Sequence, residues 1–206
     1  MLIDTHTHLY SSKFDEDRDA VIQNCLNNNI LKLLLPNIDS EHTESMLSLV
    51  KKHPTVCYPM MGIHPCSIQP DTYKKELAHA EEWLEKANFI AIGEIGIDLY
   101  WDKTTLAIQQ EAFREQIVWA KEKQLPIVIH ARDSFDEIFE IVDDMNDETL
   151  TGIFHCFTGN QEQAQHIIDY DGFKMGIGGV VTFKNSGLDK VVSQFDLNHF
   201  VLETDS

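Results

Sequence analysis

LPIVIHARDSFDEIFEIVDD, residues 125–144, holds one complete structural unit. Leu125–His130 is a short apolar run rich in β-branched residues, the composition of a strand buried on both faces. Ser134 with Glu137 has the spacing of a capping box, and Phe135, Ile138, Phe139 and Val142 recur at helical spacing. The segment therefore reads as strand, short loop, amphipathic helix. Similar apolar runs stand at Leu2–Thr7, Ile30–Leu35, Val56–Met61, Phe89–Ile95, Gly152–His155, Phe173–Ile177 and His199–Thr204. Between them lie further amphipathic stretches, with faces made by Val21, Ile22, Cys25 and Leu26 and by Phe113, Ile117 and Ala120. Asn160 with Gln163 marks a second capping box. Alternating strands and helices indicate an α/β fold, either an open doubly wound sheet or a closed barrel. Eight strand candidates favour a TIM-type (β/α) barrel of parallel strands. No GxGxxG or GxxxxGK[ST] follows the first strand, which weakens the nucleotide-binding alternatives. The chain stops at Ser206, just past the eighth candidate, where a barrel of about 250 residues normally adds a helix. Residues 1–206 thus read as a single barrel domain whose last helix is missing.

Composition narrows the function. With 206 residues, 43% hydrophobic and 24% charged, the chain can bury a sizeable core. No apolar run approaches the ~18–20 residues of a membrane span, and the start MLIDTHTHL lacks the basic, then apolar, order of a secretory signal. Cys25, Cys57, Cys66 and Cys156 have no CxxC spacing, so reduced thiols and a cytoplasmic setting are expected, with no membrane and no obligate protein partner. Cys156 reads as core, since neighbouring strand residues face opposite ways. Sixteen Lys and Arg against 34 Asp and Glu give a net charge of −18. That charge repels any extended phosphate footprint, although bound cations still attract one phosphate locally.

Active sites of such barrels gather at the C-terminal strand ends. The ends here carry His6 and His8 on strand one, Glu94 after strand four, His130 ending strand five, His155 ending strand six and Asp205 ending strand eight. His6 and His8, two apart on a strand, point to one face. Chance does not place six ligand-type residues at one end of five strands. Two divalent ions sharing a bridging carboxylate explain all of them, with Glu94 as the bridge and Asp4 among the outer partners. Histidine ligands suit Zn, Mn or Fe, and Mg is kept as a candidate ion. Arg132, two residues past His130, is placed to clamp a phosphate oxygen or to pair with Asp133 or another acid at the rim. Tyr100 and Trp101, after strand four, are placed to stack an unpaired base or simply to pack their loop.

The motifs DTHTHL (4–9), GIHP (62–65), GEIGID (93–98), IHARD (129–133), HCFTG (155–159) and ETDS (203–206) resemble, in order and spacing, the TatD-type metal-dependent deoxyribonucleases of the amidohydrolase superfamily. The resemblance runs the length of the chain. It implies a TIM-type barrel, divalent metal and 3′–5′ exonuclease or related phosphodiesterase activity on DNA, single-stranded or at 3′ ends. It further implies that His6, His8, Glu94 and Asp205 hold one ion, and Glu94, His130 and His155 the other. His64 resembles the family histidine that contacts the substrate phosphate. In this mechanism Asp205 is the general base. Related metal barrels hydrolyse esters, lactones and amides of small substrates, and a closed coordination shell would mark a metal-stabilised binding protein without turnover. Both alternatives stand at this stage.

Overall fold

A computed structural model describes residues Met1–Ser206. Eight strands alternate with seven α-helices in chain order. They are β1 (Leu2–Asp4), α1 (Arg18–Asn27), β2 (Ile30–Leu35), α2 (Thr43–Lys52), β3 (Cys57–Pro59), α3 (Tyr73–Lys86), β4 (Ile92–Asp98) and α4 (Leu106–Lys123). There follow β5 (Ile127–Arg132), α5 (Phe135–Met145), β6 (Gly152–Phe154), α6 (Gln161–Asp169), β7 (Phe173–Ile177), α7 (Leu188–Val192) and β8 (Phe200–Leu202). Two parallel sheets form, β1-β2-β3 and β4-β5-β6-β7-β8. Main-chain hydrogen bonds join them on both sides. Met61 N donates to Ala91 O and Gly93 N to Met61 O between the third and fourth strands. Thr5 N donates to Leu202 O, and Asp205 N to His6 O, between the eighth and the first. The result is the expected TIM-type ring of parallel strands. Leu2 and Leu202 are 47% and 56% exposed, so no helix covers the outer face of β1 and β8. No helix is long and apolar enough to cross a membrane.

The core confirms the helical faces in part. Phe113, Ile117 and Ala120 of α4 are buried, as are Ile138, Phe139 and Val142 of α5. On α1 only Ile22 is fully buried, while Val21, Cys25 and Leu26 are half-covered. The Asn160–Gln163 capping box forms, with both reciprocal bonds at 2.9 Å. The Ser134–Glu137 box does not. The buried Ser134 hydroxyl donates instead to the Ile97 carbonyl (2.6 Å), tying the start of α5 to β4. A buried acceptor outcompetes a local cap that water can replace.

Strand limits differ where the chemistry sits. Glu94, expected after strand four, lies inside β4, and His130 lies two residues before the end of β5. Glycines that suggest a turn here serve close strand approach. Gly96 has φ +137°, and a Cβ there would stand 2.2 Å from the His130 carbonyl oxygen. Conversely β1, β6 and β8 end early, leaving His6, His8, His155 and Asp205 just past their strands. His8 N and Asp205 N donate to neighbouring loops, at Ser206 O (2.6 Å) and His6 O (2.9 Å), and His155 N donates to Ile129 O of β5 (2.9 Å).

Candidate metal centre

Four buried or half-buried imidazoles and His64 surround one carboxylate. Glu94 is 2% exposed, and its two oxygens face different partners. Oε2 stands 3.1 Å from His6 Nε2 and 3.5 Å from His8 Nε2. Oε1 stands 2.8 Å from His130 Nδ1, 3.2 Å from His155 Nε2 and 3.4 Å from His64 Nε2. Asp205 Oδ1 is 3.8 Å from Nε2 of both His6 and His8. The His6 and His155 rings stack at 3.7 Å, joining the two halves. The potential ligand atoms of His6, His8 and Asp205 lie within 4.8 Å of one another, as do those of His64, Glu94 and His130.

Outer partners decide which ring nitrogen carries a proton. Tyr10 Oη donates to the Pro36 carbonyl (2.5 Å), so it accepts from His8 Nδ1 (2.8 Å), and the His8 Nε2 lone pair is left facing Glu94. His130 Nε2 donates to Asp98 Oδ2 (2.9 Å), turning the Nδ1 lone pair inward. His155 Nδ1 stands 3.2 Å from Glu203 Oε1, so its Nε2 faces Glu94. His64 is the opposite case. Its Nδ1 accepts the Cys66 N–H (3.1 Å), so in the neutral ring Nε2 bears the proton and is a donor. His6 Nδ1 and His155 Nδ1 are both buried without a hydrogen-bond partner, although Glu203 Oε1 stands 3.2 Å from the latter.

The donor set fits divalent metal. In their neutral forms His8 and His130 present inward lone pairs, and the Nε2 atoms of His6 and His8 meet at 3.2 Å. Nitrogen and carboxylate oxygen are the ligands Zn and Mn accept, and outer carboxylates or carbonyls on the far ring nitrogen are the usual support.

Three supporting residues escaped the sequence reading. Asp98 and Glu203 stand inside GEIGID and ETDS, and Tyr10 follows DTHTHL directly, but nothing in the chain order shows which imidazole each meets. The expected role of Asp4 is corrected. Its carboxylate accepts the His6 main-chain N–H (3.3 Å) and both N–H and hydroxyl of Thr204 (3.1 and 2.7 Å), so it stitches two loops and touches no imidazole ring.

Electrostatics follow from this crowding. Burial alone raises the Glu94 carboxyl, but His155, His64 and His6, with the His130 hydrogen bond, hold it well below the carboxylate range. Burial likewise works against Asp98, yet its bonds to His130 and to two main-chain N–H groups bring it to about 2. Burial lowers His6, and the His155 charge adds to that. His130 and His155 are both raised, because their carboxylate partners outweigh desolvation, His155 the more strongly.

The remaining candidates differ in where they stand. Arg132 sits not among the imidazoles but over Tyr100, its guanidinium carbon 3.9 Å from that ring centre. His64, expected to contact the substrate phosphate, lies within hydrogen-bond reach of Glu94 and His130. Cys156 is half-buried rather than core. It has φ +46°, and its N–H donates to Glu203 Oε1 at 2.5 Å.

Ring and cluster together define a metal-dependent hydrolase on a parallel-strand barrel. The chain belongs to the TatD related DNase family, whose profile matches residues 3–206. It is 34% identical over 206 residues to the metal-dependent hydrolase YabD of Bacillus subtilis, covering 100% of this chain and 80% of YabD. It is 30% identical over 210 residues to the 3′-5′ ssDNA/RNA exonuclease TatD of Salmonella typhimurium, covering 100% of this chain and 78% of that one. The crystal structure of the TatD homologue YJJV from Escherichia coli K12 superposes with a TM-score of 0.90 at 29% identity, over 99% of this chain and 78% of that chain.

Proposed function

We propose that this hydrolase is a two-metal phosphodiesterase that removes nucleotides from the 3′ end of single-stranded DNA. The observation that carries the reading is the division of labour at Glu94, whose two oxygens face separate imidazole groups. His6, His8, Asp205 and Glu94 would hold one ion, and Glu94, His130 and His155 would hold the other. When bound, such a pair lowers the pKa of water and neutralises charge on the attacking and leaving oxygens. The chain's own residues supply the rest. Asp205, with a side chain 44% exposed at the edge of the cluster, orients the attacking water and takes its proton. The His64 Nε2–H donates to a phosphoryl oxygen, and Arg132 offers its fork to the next phosphate. The name of the Salmonella relative supports the substrate class. The free cysteines suit a cytoplasmic enzyme.

A second reading keeps the metal pair and changes the bond. The −18 net charge favours a small ester, lactone or amide over a polyanion. One experiment separates the two. The protein loaded in turn with Mg²⁺, Mn²⁺ and Zn²⁺ is assayed on 5′-labelled single-stranded DNA beside ester, lactone and amide panels. The nuclease reading predicts a ladder shortening from the 3′ end. Intact DNA with turnover of a panel member contradicts it.

A further inference from the structure

Beside the metal centre stands a group of side chains of which only Arg132 has a part in the reaction proposed above. The chain has three arginines. Arg18 is held by Asp15 and by the Leu9 and Ser11 carbonyls, and Arg114 by Asp144. Arg132 alone donates no hydrogen bond and forms no ion pair, although Asp133 follows it in an acidic chain. Its guanidinium carbon lies 3.9 Å from the Tyr100 ring centre and 5.6 Å from that of Trp101. Tyr100 and Trp101 meet edge to face at 4.8 Å. Trp101 is 71% exposed, so an indole face stands open to solvent next to an unspent donor fork. A large aromatic side chain forgoes much hydrophobic gain by staying in water.

This group is indexed to the metal centre by one buried carboxylate. Asp98 Oδ1 accepts the main-chain N–H of Tyr100 (3.0 Å) and Trp101 (3.3 Å), while Oδ2 accepts from His130 (2.9 Å). Asp98 also pairs in register with Arg132 across β4 and β5. Gln109 of α4 clamps its backbone from both sides, accepting from Asp98 N at 2.8 Å and donating to Asp98 O at 3.1 Å. Outward from Tyr100 and Arg132 runs a groove of about 760 Å³ that reaches the first turn of α5 and Gln163 of α6.

We propose that Trp101, Tyr100 and Arg132 form a nucleobase-binding platform that seats one unpaired base beside the reacting phosphate. The proposal rests on the nuclease reading and gives it a recognition element. Every base has a π-face, and aromatic rings with an arginine plane are the usual stack for it. The charges choose the same occupant. Asp133, Asp136 and Glu137 line the groove and repel a run of phosphates, but they tolerate a neutral base. The base stacks on the open indole face, and Arg132, steadied over Tyr100, donates to the phosphate that joins this base to the reacting one. A base inside a duplex has both faces covered, so the platform selects single-stranded ends.

The test uses two fluorescein-labelled oligonucleotides of equal length, one with bases and one abasic throughout, bound in EDTA and followed by anisotropy, then cleaved by the metal-loaded protein. The platform predicts tighter binding of the base-bearing strand. It also predicts that Trp101→Ala weakens that binding by roughly tenfold to a hundredfold, with abasic binding unchanged, while Trp101→Phe keeps most of the affinity. Trp101 is exposed, so the variant folds, and a far-UV spectrum checks that it has. Equal loss on both strands, or loss on neither, overturns the platform. If the wild type cleaves both strands at one rate, the platform fails and the nuclease reading survives. A wild type that neither binds nor cleaves the base-bearing strand removes both.

Discussion

At the scale of single residues, the far nitrogen of each imidazole assigns its role. Tyr10 and Asp98 engage the outer nitrogens of His8 and His130, which in the neutral rings leaves inward lone pairs for metal, and the Glu203 carboxylate stands 3.2 Å from the outer nitrogen of His155. His64 accepts the Cys66 N–H, which makes its inner nitrogen a donor. The two classes predict different failures. His64→Gln lowers turnover on single-stranded DNA by about 10²-fold or more, as loss of one charge-stabilising donor does, while metal content stays at the wild-type level. Metal lost along with activity would make His64 a ligand and overturn this assignment. The sequence showed the six ligand candidates because motif residues two apart, or at strand ends, declare their direction. It did not show Tyr10 with Pro36, or Glu203 with His155, since those partners meet only when loops far apart in the chain close the ring.

At the scale of elements, strand existence was legible and strand limits were not. The apolar runs mark segments that enter the ring, and all eight became strands, although β1 and β8 keep an exposed outer face. The ends depend on neighbours. Gly96 continues β4 because the His130 carbonyl leaves no room for a side chain, a constraint that resides in β5. The Ser134 hydroxyl turned from its helix to β4 for a related reason, since a buried carbonyl was within reach. Gly176 in β7 extends the argument to the metal centre, because a Cβ there would stand 2.1 Å from Glu203 Oε2. Gly176→Ala therefore displaces the carboxylate behind His155. It should destabilise the protein by roughly 1–3 kcal/mol, the usual effect of overpacking, and weaken retention of the ion proposed for His130 and His155. Urea unfolding and metal titration on the same preparation check both, and a neutral substitution would show that Glu203 is free to move.

At the scale of the whole molecule, the −18 charge and the imidazole cluster make stability a function of pH. In the metal-free protein His130 and His155 are raised above their ordinary value near 6.5, so their contribution is complete below that pH and is lost as pH rises through the raised values. His6 is lowered, so the folded state loses stability as pH falls from about 6.5 toward its depressed value. Glu94 and Asp98, held low by imidazoles, contribute above the ordinary carboxylate pKa of about 4 and lose that contribution on further acidification. The three trends meet in a maximum near pH 6.5, which urea midpoints measured in EDTA across pH 4–9 will show; a midpoint that climbs steadily to pH 9 is incompatible with raised His130 and His155. Metal binding runs the other way, gaining with pH as imidazoles deprotonate. This behaviour was invisible in the sequence, where ten histidines look alike until the fold buries some beside carboxylates.

The account turns on Glu94 as the shared ligand of two ions, and metal content tests it most directly. Wild type and Glu94→Gln, each loaded with Zn²⁺ or Mn²⁺ and dialysed against metal-free buffer, are analysed for ions per chain by elemental analysis. Two ions in the wild type, with both lost together in the variant, is the predicted result. A variant that keeps both ions, or a wild type that holds one, contradicts the bridged centre.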